Sequence, residues 1–334
     1  MSLARVLPIA AWFAAVGLGA CTTSSPAELE PPALPCGKCD DFGSAAWTQP
    51  ARVSDFNSGS AMSPQIAISP QGTPIVVWQE QDAIGFELFA STFDAAVADW
   101  TQPARVSDFN SKSAMSPQIA ITHEGTPIVI WQEQDAIGFE LFASTFDAAV
   151  ADWTQPTRVS DFNSKSAMSP QIAITPAGTP IVVWQEQDAI GFELFASMFD
   201  AAAADWTQPA RVSHFNSESA MSPQIAITPD GTPIVVWQEQ DAIGFELFAS
   251  TFDAAAADWT QPAKVSHFNS ESAMSPQIAN TPSGTPIVVR QVQDAIGFEL
   301  FASTFDDAAA DWTQPARVSH FNSDSAMSPQ IAIT

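Results

Sequence analysis

The chain has 334 residues, with 37 Asp and Glu against 11 Lys and Arg, for a formal net charge of −26. That charge weighs against nucleic acid and anionic membrane surfaces as partners, because both would repel it. There are 23 Phe and 11 Trp but no Tyr, and only three Cys, so aromatic packing falls to Phe and Trp and no disulfide framework can carry the fold.

Residues 1–20 read as an export signal. Arg5 supplies the positive start, and residues 6–16 are apolar apart from Pro8, a stretch too short to span a bilayer, which needs roughly 20 apolar residues. It ends in Leu18-Gly19-Ala20-Cys21. This pattern resembles the lipobox of bacterial lipoproteins, which implies cleavage before Cys21, acylation of its sulfur and membrane attachment through the lipid. Thr22, not Asp, follows the Cys, and by that family's sorting rule the expected destination is the outer membrane or cell surface.

Residues 21–46 then form a Pro-, Ser- and acid-rich tether without apolar periodicity. Within it Cys36-Gly37-Lys38-Cys39 is a C-x-x-C. A redox pair would want a βαβ context and a zinc site would want two further ligands. The remaining reading is a local disulfide between Cys36 and Cys39 formed after export.

From residue 47 onward the chain is a tandem array. Trp-Thr-Gln-Pro begins at Trp47, Trp100, Trp153, Trp206, Trp259 and Trp312, always 53 residues apart. The first two units differ only at Gly59/Lys112, Ser69/Thr122, Pro70/His123, Gln71/Glu124 and Val77/Ile130. Each unit predicts four short antiparallel strands. In the first they are residues 64–69 (PQIAIS), 73–81 (TPIVVWQEQ), 86–93 (FELFASTF) and 100–107 (WTQPARVS), the last with Pro103 at a sheet edge. Gln71-Gly72 and residues 82–85 supply turns, and the Ala-rich DAAVAD is too short to stand as a helix.

Four short strands per unit of about 50 residues predict an all-β fold over residues 47–334, a β-propeller of four-stranded blades: either five that close with the extra strands across the seam, or six with one incomplete. The units resemble the sialidase-like propellers with Asp-box repeats. Pro64-Gln65-Ile66-Ala67, Gly72 with Val76-Val77-Trp78, and Thr92-Phe93-Asp94 followed by Trp100 fit that outline. Ala96 stands where the box has Gly, and the step from Asp94 to Trp100 is one residue longer. The fifth unit departs further: Asn280 replaces a strand Ile, Arg290 replaces the Trp and Val292 replaces the Glu.

The resemblance would imply a sialidase site with three Arg, a Tyr nucleophile and a carboxylate acid. With no Tyr, and with Arg52, Arg105, Arg158, Arg211 and Arg317 spread over the fourth strands, the expectation is a binding protein and not an enzyme. His123, and His214, His267 and His320 in place of an Asp, read as exposed drift. Loops gathered on one propeller face would carry Asp55, Glu80, Asp82, Glu133, Asp135, Glu186, Asp188, Glu239 and Asp241. Such carboxylates suit calcium, a cationic partner or an extracellular protein. Trp78, Trp131, Trp184 and Trp237 are candidates for stacking a glycan, with the alternative that they pack between blades. The expected molecule is a monomeric surface lipoprotein with a multivalent acidic face. Its alternatives are a propeller lectin with one Arg, Glu and Trp per unit, or a structural or decaying array without ligand.

Overall fold

The computed structural model describes the backbone of Arg5–Pro8, and residues 50–54, 59–81, 85–108, 113–134, 138–161, 166–187, 191–213, 219–240, 244–266, 272–293, 297–319 and 325–333. The chain divides into two compact units, Met1–Ile9 with Val53–Thr334, and Ala10–Arg52. Only residues 50–52 of the second are described. The lipidation and disulfide candidates Cys21, Cys36 and Cys39 lie outside the described residues, as do Asp55, Asp82, Asp135, Asp188 and Asp241.

The first unit is a β-propeller of five repeated antiparallel sheets. In blade 1 the strands are Ala61–Ile68, Pro74–Gln81 and Phe86–Asp94, followed by a fourth in two pieces, Asp99–Trp100 and Ala104–Arg105, both paired with the third. Blades 2 to 5 repeat this order from Ala114–Ile121, Ala167–Ile174, Ala220–Ile227 and Ala273–Asn280. The fourth strand breaks because Pro103 cannot donate to the ladder. There the Thr101 hydroxyl accepts the Thr92 N–H at 3.0 Å, and Ser91 Oγ donates to the Thr101 carbonyl at 2.7 Å.

First strands start earlier than the alternation predicts. Ser63 adopts φ 52° and its counterparts do likewise, and a register shift between Met62 and Gln65 lets Ala61 and Met62 continue pairing with Glu80 and Gln79. This bulge adds one residue without moving the apolar face of the strand.

The first strands of successive blades lie side by side, and Pro329–Ala332 follows that of blade 5. Arg5–Pro8 pairs antiparallel with Pro329–Ala332, Val6 opposite Ile331 and Leu7 opposite Gln330. In blade 1 the equivalent partners are Ile66 with Val76 and Gln65 with Val77. In the uncleaved chain the N-terminal segment therefore takes the register of a second strand beside the incomplete sixth blade, a place that cleavage before Cys21 would empty. Among the described residues the five sheets do not close into a ring, and Ile66 and Ile68 of blade 1 are 61% and 56% exposed.

The core sits between blades. Val77, Leu88, Ala90 and Val106 of blade 1 pack on Ala114, Val129 and Trp131 of blade 2, with Ile119, Phe142 and Trp153 against them. The same layer recurs at the next two interfaces. Between blades 4 and 5 it joins Val236, Leu247, Ala249 and Val265 to Ala273, Val288 and Trp312. A buried aliphatic side chain contributes about 1.5–3 kcal/mol, so adjacent blades hold one another and no blade needs a core of its own.

Candidate functional site

The repeated residues proposed from sequence take structural positions. Trp131, Trp184 and Trp237 are 0% exposed and Trp78 is also buried. Trp131 stacks on Phe142 with ring centroids 6.3 Å apart inside the interblade layer. The preceding blade covers Trp131, Trp184 and Trp237, and Trp78 is 3% exposed, so none of the four rings is open to a sugar. Each indole Nε1–H donates to a carboxylate two residues on: Trp78 to Glu80 at 3.0 Å, Trp131 to Glu133 at 3.2 Å, Trp184 to Glu186 at 3.2 Å and Trp237 to Glu239 at 3.1 Å. These half-buried glutamates serve as indole acceptors. Burial pushes the Glu186 carboxyl above its ordinary range, against the lowering effect of the Trp184 bond. Among the described residues no three His, Cys, Asp or Glu group together as a metal centre.

A second repeated pair lies deeper. Glu87 is buried on the third strand; one of its oxygens meets Arg105 Nη2 at 2.5 Å and the other accepts the Ser107 hydroxyl at 2.6 Å. Ser107 Oγ in turn accepts the Leu88 N–H at 2.9 Å. Glu140 with Arg158, Glu193 with Arg211 and Glu299 with Arg317 repeat the pair, while blade 4 uses Lys264 with Glu246 at 3.1 Å. The Arg, Glu and Trp found once per unit therefore do not assemble as a sugar triad. Arg and its Glu partner tie the fourth strand to the third, and Trp fills the interface.

Residues that differ between units gather elsewhere. A groove of about 560 Å³ opens between blades 4 and 5, at the end carrying the turns from first to second strand and from third to fourth. Thr228, Asp230 and Thr232 of the blade 4 turn line it together with Thr251 and Thr260. Phe305, Asp307 and Trp312 line it from blade 5. Asp230 occurs only in this unit: its counterparts are Gln71, Glu124, Ala177 and Ser283. Asp307 also occurs once, where the other units have Ala95, Ala148, Ala201 and Ala254.

Asp230 is exposed and held by its neighbours. Thr228 Oγ1 donates to one carboxylate oxygen and Thr232 Oγ1 to the other, the latter at 3.3 Å. The Thr228 hydroxyl, followed by smaller backbone and Thr232 contributions, holds its carboxyl below the usual range. Asp230 is thus a fixed carboxylate at neutral pH, suited to accept hydroxyl or ammonium donors. Sequence reading passed over both aspartates because it followed what repeats; the signal was the departure of one unit from the others.

No family model and no curated protein sequence matches the chain. Solved structures match over most of it. A protein of unknown function from Dyadobacter fermentans aligns with TM-score 0.59 at 10% identity, covering 81% of this chain and 85% of that one. A polysaccharide lyase of the PL25 ulvan lyase family aligns with TM-score 0.57 at 9% identity, covering 82% and 76%. An α-L-arabinanase from Penicillium chrysogenum, complexed with arabinobiose, aligns with TM-score 0.53 at 12% identity, covering 81% and 85%. At these identities the likeness establishes the propeller fold.

It also corrects the expectation that the chain is not an enzyme. Lyases and a glycoside hydrolase stand among the fold's neighbours. Lack of tyrosine bears on one sialidase mechanism, and repetition of most polar residues does not speak for the few that are unique. The exclusion of catalysis is withdrawn.

Proposed function

We propose that this chain is an exported, lipid-anchored propeller that takes a neutral or cationic saccharide in the groove between blades 4 and 5. One observation carries the reading: two aspartates, each peculiar to its own repeat, line one groove with threonine hydroxyls and the half-buried ring of Phe305. Carboxylates and hydroxyls beside aromatic carbon are the groups that hold sugar hydroxyls in a concave site. The neighbour complexed with arabinobiose supports a neutral pentose chain as the first ligand to try. A neighbouring lyase is bound to a unit of a uronate and a sulfated rhamnose, -[GlcA(1-4)Rha3S]-. A net charge of −26 and two groove carboxylates disfavour a polyanion of that kind.

The repeated acidic face is the weaker account, since Glu80, Glu133, Glu186 and Glu239 are engaged by indoles. Calcium there would rest on the aspartates outside the described residues. Membrane attachment rests on Cys21 and the apolar leader.

The test titrates the purified chain with arabinan, chitosan and ulvan, following heat of binding. Reducing ends and unsaturated uronate absorbance are followed in parallel to detect turnover. Arabinan or chitosan should bind and ulvan should not; failure of all three, or binding by ulvan alone, would sink the proposal. Cys21→Ser should move the protein from the membrane to the soluble fraction, and retention there would remove the lipid anchor from the reading.

A further inference from the structure

Three departures from the repeat meet at one interface. Blade 4 has Lys264 where other blades have Arg, and blade 5 has Arg290 and Val292 where other second strands have Trp and Glu. Between blades 2 and 3, Arg158 is paired with Glu140, and Glu186 across the interface feels both. Asp161 adds a third carboxylate, so one cation there faces three. Between blades 4 and 5, Glu246 pairs with Lys264, and the same carboxylate attracts Arg290 from the facing blade. Among the described residues two cations there share one carboxylate, so the local balance changes from minus two to plus one.

Arg290 is 0% exposed. Its Nη1 donates to Ser303 Oγ at 3.0 Å, while Nε and Nη2 meet no acceptor among the described residues. Burial lowers its pKa to about 10, which leaves the guanidinium charged at neutral pH. A buried cation with open donors is strongly unfavourable unless an anion or acceptor answers it.

We infer that the interface between blades 4 and 5 binds a small monovalent anion, of the chloride class, against Nε and Nη2 of Arg290. One negative charge matches the surplus. Enclosure disfavours sulfate or phosphate, which bring a larger hydration cost and more volume. The site is separate from the saccharide groove, whose lining does not include Arg290.

The experiment melts the purified full-length chain at constant ionic strength while gluconate is exchanged for chloride or bromide. Chloride should raise the midpoint by roughly 5 °C, as for an anion near a hundredfold above its Kd, and the effect should saturate. The double variant Arg290→Trp, Val292→Glu restores the pairing used in blades 1 to 4. It should melt higher in gluconate and ignore the identity of the anion. An equal response of parent and variant, or no response of the parent, overturns the site. Crystals in bromide give the direct check: an anomalous peak beside the Arg290 guanidinium supports it, and a bare guanidinium in those crystals overturns it.

Discussion

Gln79 of blade 1 reaches into blade 2, where its side-chain carbonyl accepts the backbone N–H of Ser116 at 2.9 Å. Ser116 is the bulge residue, with φ 53°, so the tie lands where the ladder of blade 2 leaves an N–H without a strand partner. The same bond joins Gln132 to Ser169, Gln185 to Ser222, Gln238 to Ser275 and Gln291 to Ser328. A second tie runs beside it, from the Phe86 N–H to Ser113 Oγ at 3.1 Å, and repeats at each step. Blade order is therefore maintained by directional bonds as well as by apolar contact.

Replacing Gln185 with Leu should leave the Ser222 N–H unanswered and cost about 1–2 kcal/mol in a denaturant titration. Ser222→Gly keeps the N–H and relieves the left-handed backbone, so it should be neutral or stabilise by up to about 1 kcal/mol. If Gln185→Leu left the midpoint unmoved, the cross-blade bond would have no energetic role.

The buried pair of Glu193 and Arg211 gives a sharper expectation. Arg211→Met takes the cation away from a buried carboxylate that also accepts the Ser213 hydroxyl at 2.5 Å. Breaking one side of such a pair costs about 3–5 kcal/mol. Replacing both residues by Met and Leu should cost clearly less than the single change. A double-mutant cycle that came out additive would show that the pair is not coupled.

Much of this architecture was legible in the sequence, for physical reasons. The second strand, expected over residues 73–81, runs Pro74–Gln81, because a β-branched run closed by turns has few other ways to bury itself. The third strand was also found nearly to the residue. Less legible was what the polar residues do. Glu80 and Glu87 look alike in a chain full of acids, yet one accepts an indole and the other is buried against Arg105. Only the cross-strand pairing of Glu80 with Glu87, and of Phe89 with Arg105, separates those roles. The groove was out of reach for a different reason: Asp230 and Asp307 lie in different repeats and meet only because successive blades are stacked.

The groove aspartates should separate binding from stability. Asp230→Ala and Asp307→Ala change exposed residues and should leave the melting midpoint within about 1–2 °C of the parent. Each should weaken saccharide binding roughly tenfold, by removing a charged acceptor. Because the Asp230 carboxyl is held below its ordinary value of 3.8, its share of binding should be constant from neutral pH down to that value. It should fail only as the pH drops further. A loss of affinity already complete by pH 5 would point to a different group.

Glu186 should behave in the opposite sense. Its carboxyl is raised above 4.5 by burial, so the folded state holds its proton more tightly than the unfolded chain does. Its stabilising contribution is present below pH 4.5 and is lost as pH rises through the folded value. Glu186→Gln keeps an acceptor for Trp184 Nε1–H and removes the charge. It should raise the midpoint at pH 7 by roughly 1–2 °C and flatten the pH dependence above 4.5. A lower midpoint at pH 7 would mean that the charged acceptor is worth more than its desolvation costs.

Asn280 offers the last expectation. Four blades end the first strand in Ile, at Ile68, Ile121, Ile174 and Ile227, and only blade 5 has Asn. Both polar atoms of its side chain are buried without a partner among the described residues. Asn280 also lines a hollow of about 350 Å³ with Ile174, Ile227 and Ile333, so an apolar side chain would find apolar neighbours there. Leaving an amide unsatisfied costs about 1–3 kcal/mol, and Asn280→Ile should recover most of it while restoring the residue used by the other blades. The gain should appear in denaturant unfolding as a higher midpoint at unchanged slope. A lower midpoint would show that the amide is answered by a ligand or ordered water in the hollow, and would make that hollow the next place to look for binding.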